Sequence, residues 1–107
     1  MTLDRNTHHR IMQNILIDIY RDFTLATRLI FKGDTACYFL YGLDRFSTDL
    51  DFNITNEYES ADILNRLRKI LIKYGTLREE RIKRYTIFCM LSYGSSEHNI
   101  KVEISTR

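Results

Sequence analysis

The acids Asp49 and Asp51 of the segment TDLDFNI, and Glu103 of the segment IKVEIS, are the residues whose type and spacing best suit chemistry. Both segments alternate apolar and polar residues, the pattern of strands with one buried face. On a strand, residues i and i+2 share a face. Leu50, Phe52 and Ile54 therefore point one way and Asp49, Asp51 and Asn53 the other. Likewise Ile100, Val102 and Ile104 turn inward, and Lys101, Glu103 and Ser105 turn outward. If the two strands are neighbours, three carboxylates gather on one open face. Two carboxylates ~5 Å apart repel by ~3 kcal/mol at an effective dielectric of about 20. Such a cluster calls for a cation: Lys101, an arginine or a divalent metal. Oxygen-only ligands suit Mg2+ or Mn2+ completed by substrate phosphates.

An isolated Asp-x-Asp is more often a plain solvated strand face, and the segment upstream is what raises its weight. Leu29-Ile30-Phe31 reads as a short buried strand running into Lys32-Gly33-Asp34-Thr35. A glycine at a strand-to-helix turn lets backbone approach a phosphate, and the following helix start offers free N–H groups. Thr35 to Tyr41 has a helical mix of residues, with Gly42 as its C-cap. A phosphate cradle ahead of an Asp-x-Asp strand, with a later strand carboxylate, is a far less accidental set than any one of its parts.

The remaining elements must hold these residues in place. Ile11, Met12, Ile15, Leu16, Ile19, Tyr20 and Phe23 recur at helical spacing and predict an amphipathic helix over about residues 7–25. His8 and His9 stand ahead of that stripe and are expected to be exposed. Ser60 is a suitable N-cap for a helix to Tyr74, closed by Gly75, with Ile63, Leu64, Leu67, Ile70 and Leu71 on one stripe. Residues 85–93 are β-branched and aromatic, and Gly94-Ser95-Ser96 is a turn signal, so this segment pairs with 100–104 as a hairpin. The order predicts an α/β (α+β) domain: a small mixed sheet with helices on one face. Strand 85–93 is apolar on both faces, with Phe88 and Met90 opposite the others, so a homo-oligomer is expected.

With 107 residues and neither repeats nor prolines, the chain reads as a single domain spanning 1–107. Hydrophobic residues at 44% and charged residues at 28% exclude a disordered chain, and the apolar runs are too short for a membrane-spanning helix. Cys37 and Cys89 lie inside apolar stretches, which fits buried thiols in a reducing cytoplasm better than a disulfide framework or zinc site. The net charge of +2 is unevenly distributed. Segment 66–84 holds eight of the sixteen basic residues and only two acids. It reads either as a footprint for a polyanion or as a solvated helix face followed by an edge strand guarded by charge.

The stretch FKGDTACYFLYGLDRFSTDLDF carries a more specific signal. It resembles the AbiEii/AbiGii-type nucleotidyltransferase toxin family, within the polymerase-beta-like nucleotidyltransferases. Phe31, Lys32, Gly33, Thr35, Tyr41, Gly42, Arg45, Phe46, Ser47, Asp49 and Asp51 fall in step with the family pattern. The strand IKVEIS looks like the family's third-carboxylate strand, with Lys101 and Glu103 at matching positions. The resemblance covers roughly residues 10–107. Two departures stand out. Asp34 occupies the position of the family's second glycine, and family members continue beyond the position of Arg107 into a mostly helical region.

The resemblance implies metal-dependent transfer of a nucleoside monophosphate from an NTP to an acceptor hydroxyl, in a toxin–antitoxin or abortive-infection setting. Asp49, Asp51 and Glu103 would be the catalytic and metal-holding acids, with Mg2+ or Mn2+ as cofactor. Lys32, Gly33, Asp34, Thr35, Ser47 and Lys101 would contact the nucleotide. Lys32 and Lys101 are equally well read as charge compensation for the three acids. An NTP, an RNA acceptor such as tRNA and a cognate antitoxin are the implied partners. The alternative is a degenerate, non-catalytic module of the same fold, kept for binding or regulation. Asp34 favours it; three mutually repelling acids retained together oppose it.

Overall fold

The computed structural model describes residues 5–32, 49–54, 59–94 and 99–106. Its helices are α1 (Arg5–Arg21), α2 (Phe23–Arg28) and α3 (Ser60–Leu71). Its strands are β1 (Leu29–Lys32), β2 (Asp49–Ile54), β3 (Thr76–Lys83), β4 (Thr86–Ser92) and β5 (Asn99–Ser105). The strands form one mixed sheet in the order β1-β2-β5-β4-β3. Only β2 and β5 run parallel; the other neighbours are antiparallel.

The alternation seen in the sequence decides which face is covered. Leu50 and Phe52 of β2, Ile100, Val102 and Ile104 of β5, and Ile87, Cys89 and Leu91 of β4 are all buried in one core. Met12, Ile15 and Ile19 of α1 and Ile63, Leu67 and Leu71 of α3 pack into the same core from the helix layer. Each strand therefore turns its other residues to the opposite, open face, where the candidate acids lie. Among the described residues no helix is long and apolar enough to cross a membrane.

Four local expectations are corrected. The helix expected over 7–25 is divided at Asp22, whose backbone is extended (φ −84°, ψ 114°) and whose side chain accepts from the Leu25 amide at 3.1 Å. An aspartate favours this N-cap position because it satisfies an amide that the new helix leaves open. Second, Glu59 and not Ser60 is the residue ahead of α3, and it makes no side-chain cap. That helix stops at Leu71 and tightens through the Lys73 and Tyr74 amides, which bond back to Ile70 and Leu71.

Third, His8 is buried, its ring nitrogen Nδ1 bonded to the Tyr93 hydroxyl, instead of facing solvent. Fourth, residues 76–83 form the edge strand β3, absent from the expected element order; its exposed charges fit the guarded-edge reading of this segment. A bulge between Leu77 and Glu79 breaks its register further. The expected helix over 35–41 and its Gly42 cap lie outside the described residues. Cys89 is buried as expected, and that burial pushes its thiol up to about 12.

Candidate active site on the open sheet face

Asp49 and Asp51 leave β2 on its open side, each half-buried, while Leu50 and Phe52 between and after them are fully buried. The parallel pairing with β5 sets Asp51 directly opposite Glu103 and Asp49 opposite Lys101. On the other flank, antiparallel β1 sets Lys32 opposite Asp51. A row of three charged residues, Lys32, Asp51 and Glu103, thus crosses three adjacent strands, which are spaced ~4.8 Å apart. Lys32, Asp51 and Glu103 open into a single cavity of about 230 Å³ with Thr86 and Ser105. Asp51 and Glu103, as neighbours, repel one another; Lys32 beside Asp51 offsets part of that cost.

The packing beneath explains why the row is in register. The Phe31 ring lies against Phe52, centroids 5.3 Å apart, so β1 and β2 are locked from the core side. Phe52 and Ile104 are register partners and both fully buried, which fixes β2 against β5. A slip of one residue would turn these apolar side chains outward and Asp51 and Glu103 into the core.

The expected convergence of Asp49, Asp51 and Glu103 is met in part. All three share the face, but among the described residues no three His, Cys, Asp or Glu side chains come together closely enough to hold a metal ion as a group. The parallel register places Lys101, not Glu103, opposite Asp49. The donors are nonetheless carboxylate oxygens only, the chemistry of a hard cation such as Mg2+, which keeps several waters and takes substrate phosphates as further ligands. On donor chemistry alone, the residues are of the type that suits a hard divalent ion.

Gly33, Asp34, Thr35 and Ser47 lie outside the described residues. Thr86 was missed from the sequence, because only the pairing of Thr86 with Ser105 between β4 and β5 brings it to the pocket. Ser105 was signalled by its alternation with Glu103 but not assigned a place in the site. A larger groove, about 650 Å³, lies between α1 and α3. Its lining charges largely pair with one another: Arg66 with Asp22 and Asp62, and Lys73 with Asp18. It carries none of the strand acids.

A mixed sheet with helices on one face and an acid-lined open face is the nucleotidyltransferase-like class of α/β fold. The model of the family described as "Nucleotidyl transferase AbiEii toxin, Type IV TA system" matches residues 15–107, and the chain belongs to that family. Among solved structures, the chain is similar to JHP933 from Helicobacter pylori, at 26% identity and a TM-score of 0.68. That match covers 100% of this chain and 46% of the other. A candidate nucleotidyltransferase from H. pylori matches at 27% identity and a TM-score of 0.67, covering 100% of this chain and 47% of its own. The chain therefore spans just under half the length of these two structures. No curated protein matches it.

Proposed function

We propose that this chain carries the catalytic core of a metal-dependent nucleotidyltransferase, which moves a nucleoside monophosphate from an NTP to an acceptor hydroxyl and releases pyrophosphate. The observation that supports this reading is the row Lys32–Asp51–Glu103 opening into one pocket, in a chain of the AbiEii family. Asp49 and Asp51 would hold Mg2+ (or Mn2+), with Glu103 completing the donor set. Such an ion, when bound, neutralises triphosphate charge and stabilises the oxygens entering and leaving phosphorus.

The chain's own residues do the rest. A Glu103 carboxylate oxygen accepts the proton of the acceptor hydroxyl. Lys32 and Lys101, each opposite an aspartate, supply fixed positive charge for phosphate oxygens. Gly33, Thr35 and Ser47 are assigned to the β- and γ-phosphates by their place in the family pattern, whereas Asp34 departs from that pattern. The family description brings with it a cognate antitoxin as partner. A tRNA-like RNA acceptor, the bacterial cytoplasm and phage defence complete the proposal.

Thermal shift and calorimetry of the intact chain with each NTP, with and without Mg2+, test the reading. We expect Mg2+-dependent stabilisation that Asp49→Ala or Asp51→Ala abolishes. Equal Mg2+-dependent binding by the double alanine variant would overturn the site. Asp34, a carboxylate where the family pattern has glycine, favours the alternative of a non-catalytic module. A chain that gains no stability from any Mg2+–NTP would support that alternative.

A further inference from the structure

Strand β1 brings Lys32 to the pocket, yet it is only four residues long and lies at the sheet edge, with β2 as its one neighbour. The outer backbone groups of an edge strand have no ladder partners. On β1, among the described residues, the Tyr20 side chain takes that role. The hydroxyl of Tyr20, in the last turn of α1, accepts from the Phe31 amide at 3.2 Å and donates to the Leu29 carbonyl at 3.3 Å. One hydroxyl thus replaces two bonds that a further strand would make, and it acts on the residue immediately before Lys32.

Phe31 is held by its amide to Tyr20 and by its ring against Phe52. The Tyr20 side chain is a poor core residue, 40% exposed, so hydrophobic burial does not account for its placement. Burial pushes the pKa of its hydroxyl above the ordinary tyrosine range, against the opposing effect of the Phe31 amide. The group therefore stays protonated at neutral pH and can donate and accept at once. The opposite edge, β3, has a different protection, made of exposed charges and a bulge.

We infer that Tyr20 is a positioning residue for the nucleotide end of the site: by clamping the outer edge of β1 it holds Lys32 beside Asp51. The inference rests on the nucleotidyltransferase reading. It predicts that loss of one hydroxyl, on α1 and well before Asp49 in the chain, weakens phosphate binding without removing a phosphate contact.

The test is calorimetry of the intact chain with Mg2+–ATP, –CTP, –GTP and –UTP, joined to amide hydrogen exchange of the unliganded protein. Tyr20→Phe is expected to bind about three- to tenfold more weakly and to exchange the Phe31 amide faster. It should add no further loss to a Lys32→Ala background. Tyr74→Phe removes a hydroxyl bonded to Asp18, away from β1, and should leave affinity unchanged. Equal affinity of wild type and Tyr20→Phe, with Asp51→Asn abolishing binding, overturns the role of Tyr20 and leaves the functional reading standing. An equal loss in Tyr74→Phe also overturns it, as a general stability effect. A wild-type chain that binds none of the four nucleotides overturns the functional reading and this role together. Unchanged exchange at Phe31 overturns the clamp itself.

Discussion

A Cβ built on Gly75 would meet the carbonyl oxygen of Ser92 at 2.1 Å and the Tyr93 Cα at 3.1 Å. Both are backbone atoms of β4 and its continuation, which cannot rotate aside as a flexible side chain would. Gly75→Ala should therefore destabilise the domain by about 1–3 kcal/mol, read as a lower urea midpoint. Asp18 offers a second, pH-dependent expectation. It pairs with Lys73 at 2.8 Å and accepts from the Tyr74 hydroxyl. The bond from Lys73 first, then that from Tyr74, holds the Asp18 carboxyl below its ordinary range. A lowered folded value means stability that is present above the unfolded value of about 3.9 and lost as pH falls through the folded one. Burial, and then Asp18, push the Tyr74 hydroxyl up to about 12. That contribution is present below the unfolded value of about 10 and lost as pH rises toward the folded one. Melting temperatures measured from pH 2 to 7 should fall below about pH 4, and Asp18→Asn should flatten part of that acid limb.

Segment 66–84 spans the later part of α3, the turn after it and β3, so its positive charge is spread over two sides of the domain. Much of it is committed. Arg66 binds Asp22 and Asp62, Arg68 grips Glu80 at 2.6 Å and 2.8 Å, and Lys73 holds Asp18. These pairs fasten α3 to α1 and to the edge strand, which is the bland role for a charged face. Lys69, Arg78, Arg81, Lys83 and Arg84 are exposed; Arg81 makes a 3.9 Å contact to Glu79 and Arg84 lies over the Tyr85 ring. If the acceptor is RNA, its affinity should fall steeply with salt as counterions are released. Lys69→Ser and Arg81→Ser should each reduce the salt slope by about one. They are cleaner probes than Arg66 or Lys73, whose loss would also unfasten α1. A slope unchanged by both substitutions would remove Lys69 and Arg81 from the RNA path.

The open face carries apolar residues beside the charged row. Phe88 and Met90 of β4 are half-buried, and Ile30 of β1 is 53% exposed. No helix of the described residues covers that side. Patches of this kind associate when a second apolar surface is within reach. We expect a homodimer, with a light-scattering mass of twice the 12.8 kDa chain. Phe88→Glu with Met90→Glu should return it to the mass of one chain while leaving the core, on the other face, intact. A single-chain mass for the wild type at high concentration would count against this.

The strands β2 and β5 were legible residue by residue, because a period of two with one buried face leaves little choice of which side chains turn inward. The same alternation put Asp49, Asp51 and Glu103 on the outward side before any pairing was known. Helical stripes were equally plain in α1 and α3. Their ends were not, since Asp22 serves as a cap only because the chain needs a second helix direction there, and that need comes from packing. Edge strand β3, with only Leu77 and Ile82 apolar, was legible as a charge-guarded edge but not in its bounds, which its pairing with β4 sets. His8 shows the same limit, for nothing local foretells that Tyr93, distant in sequence, closes over it. The site divides along this line. Which residues were acids on a common face follows from short-range periodicity, whereas Asp51 opposite Glu103, Asp49 opposite Lys101, and Thr86 at the pocket depend on strand order and register. Those are set by long-range burial of Phe52, Ile104 and Ile87 in one core, a contest among whole arrangements that no short stretch of the chain can settle.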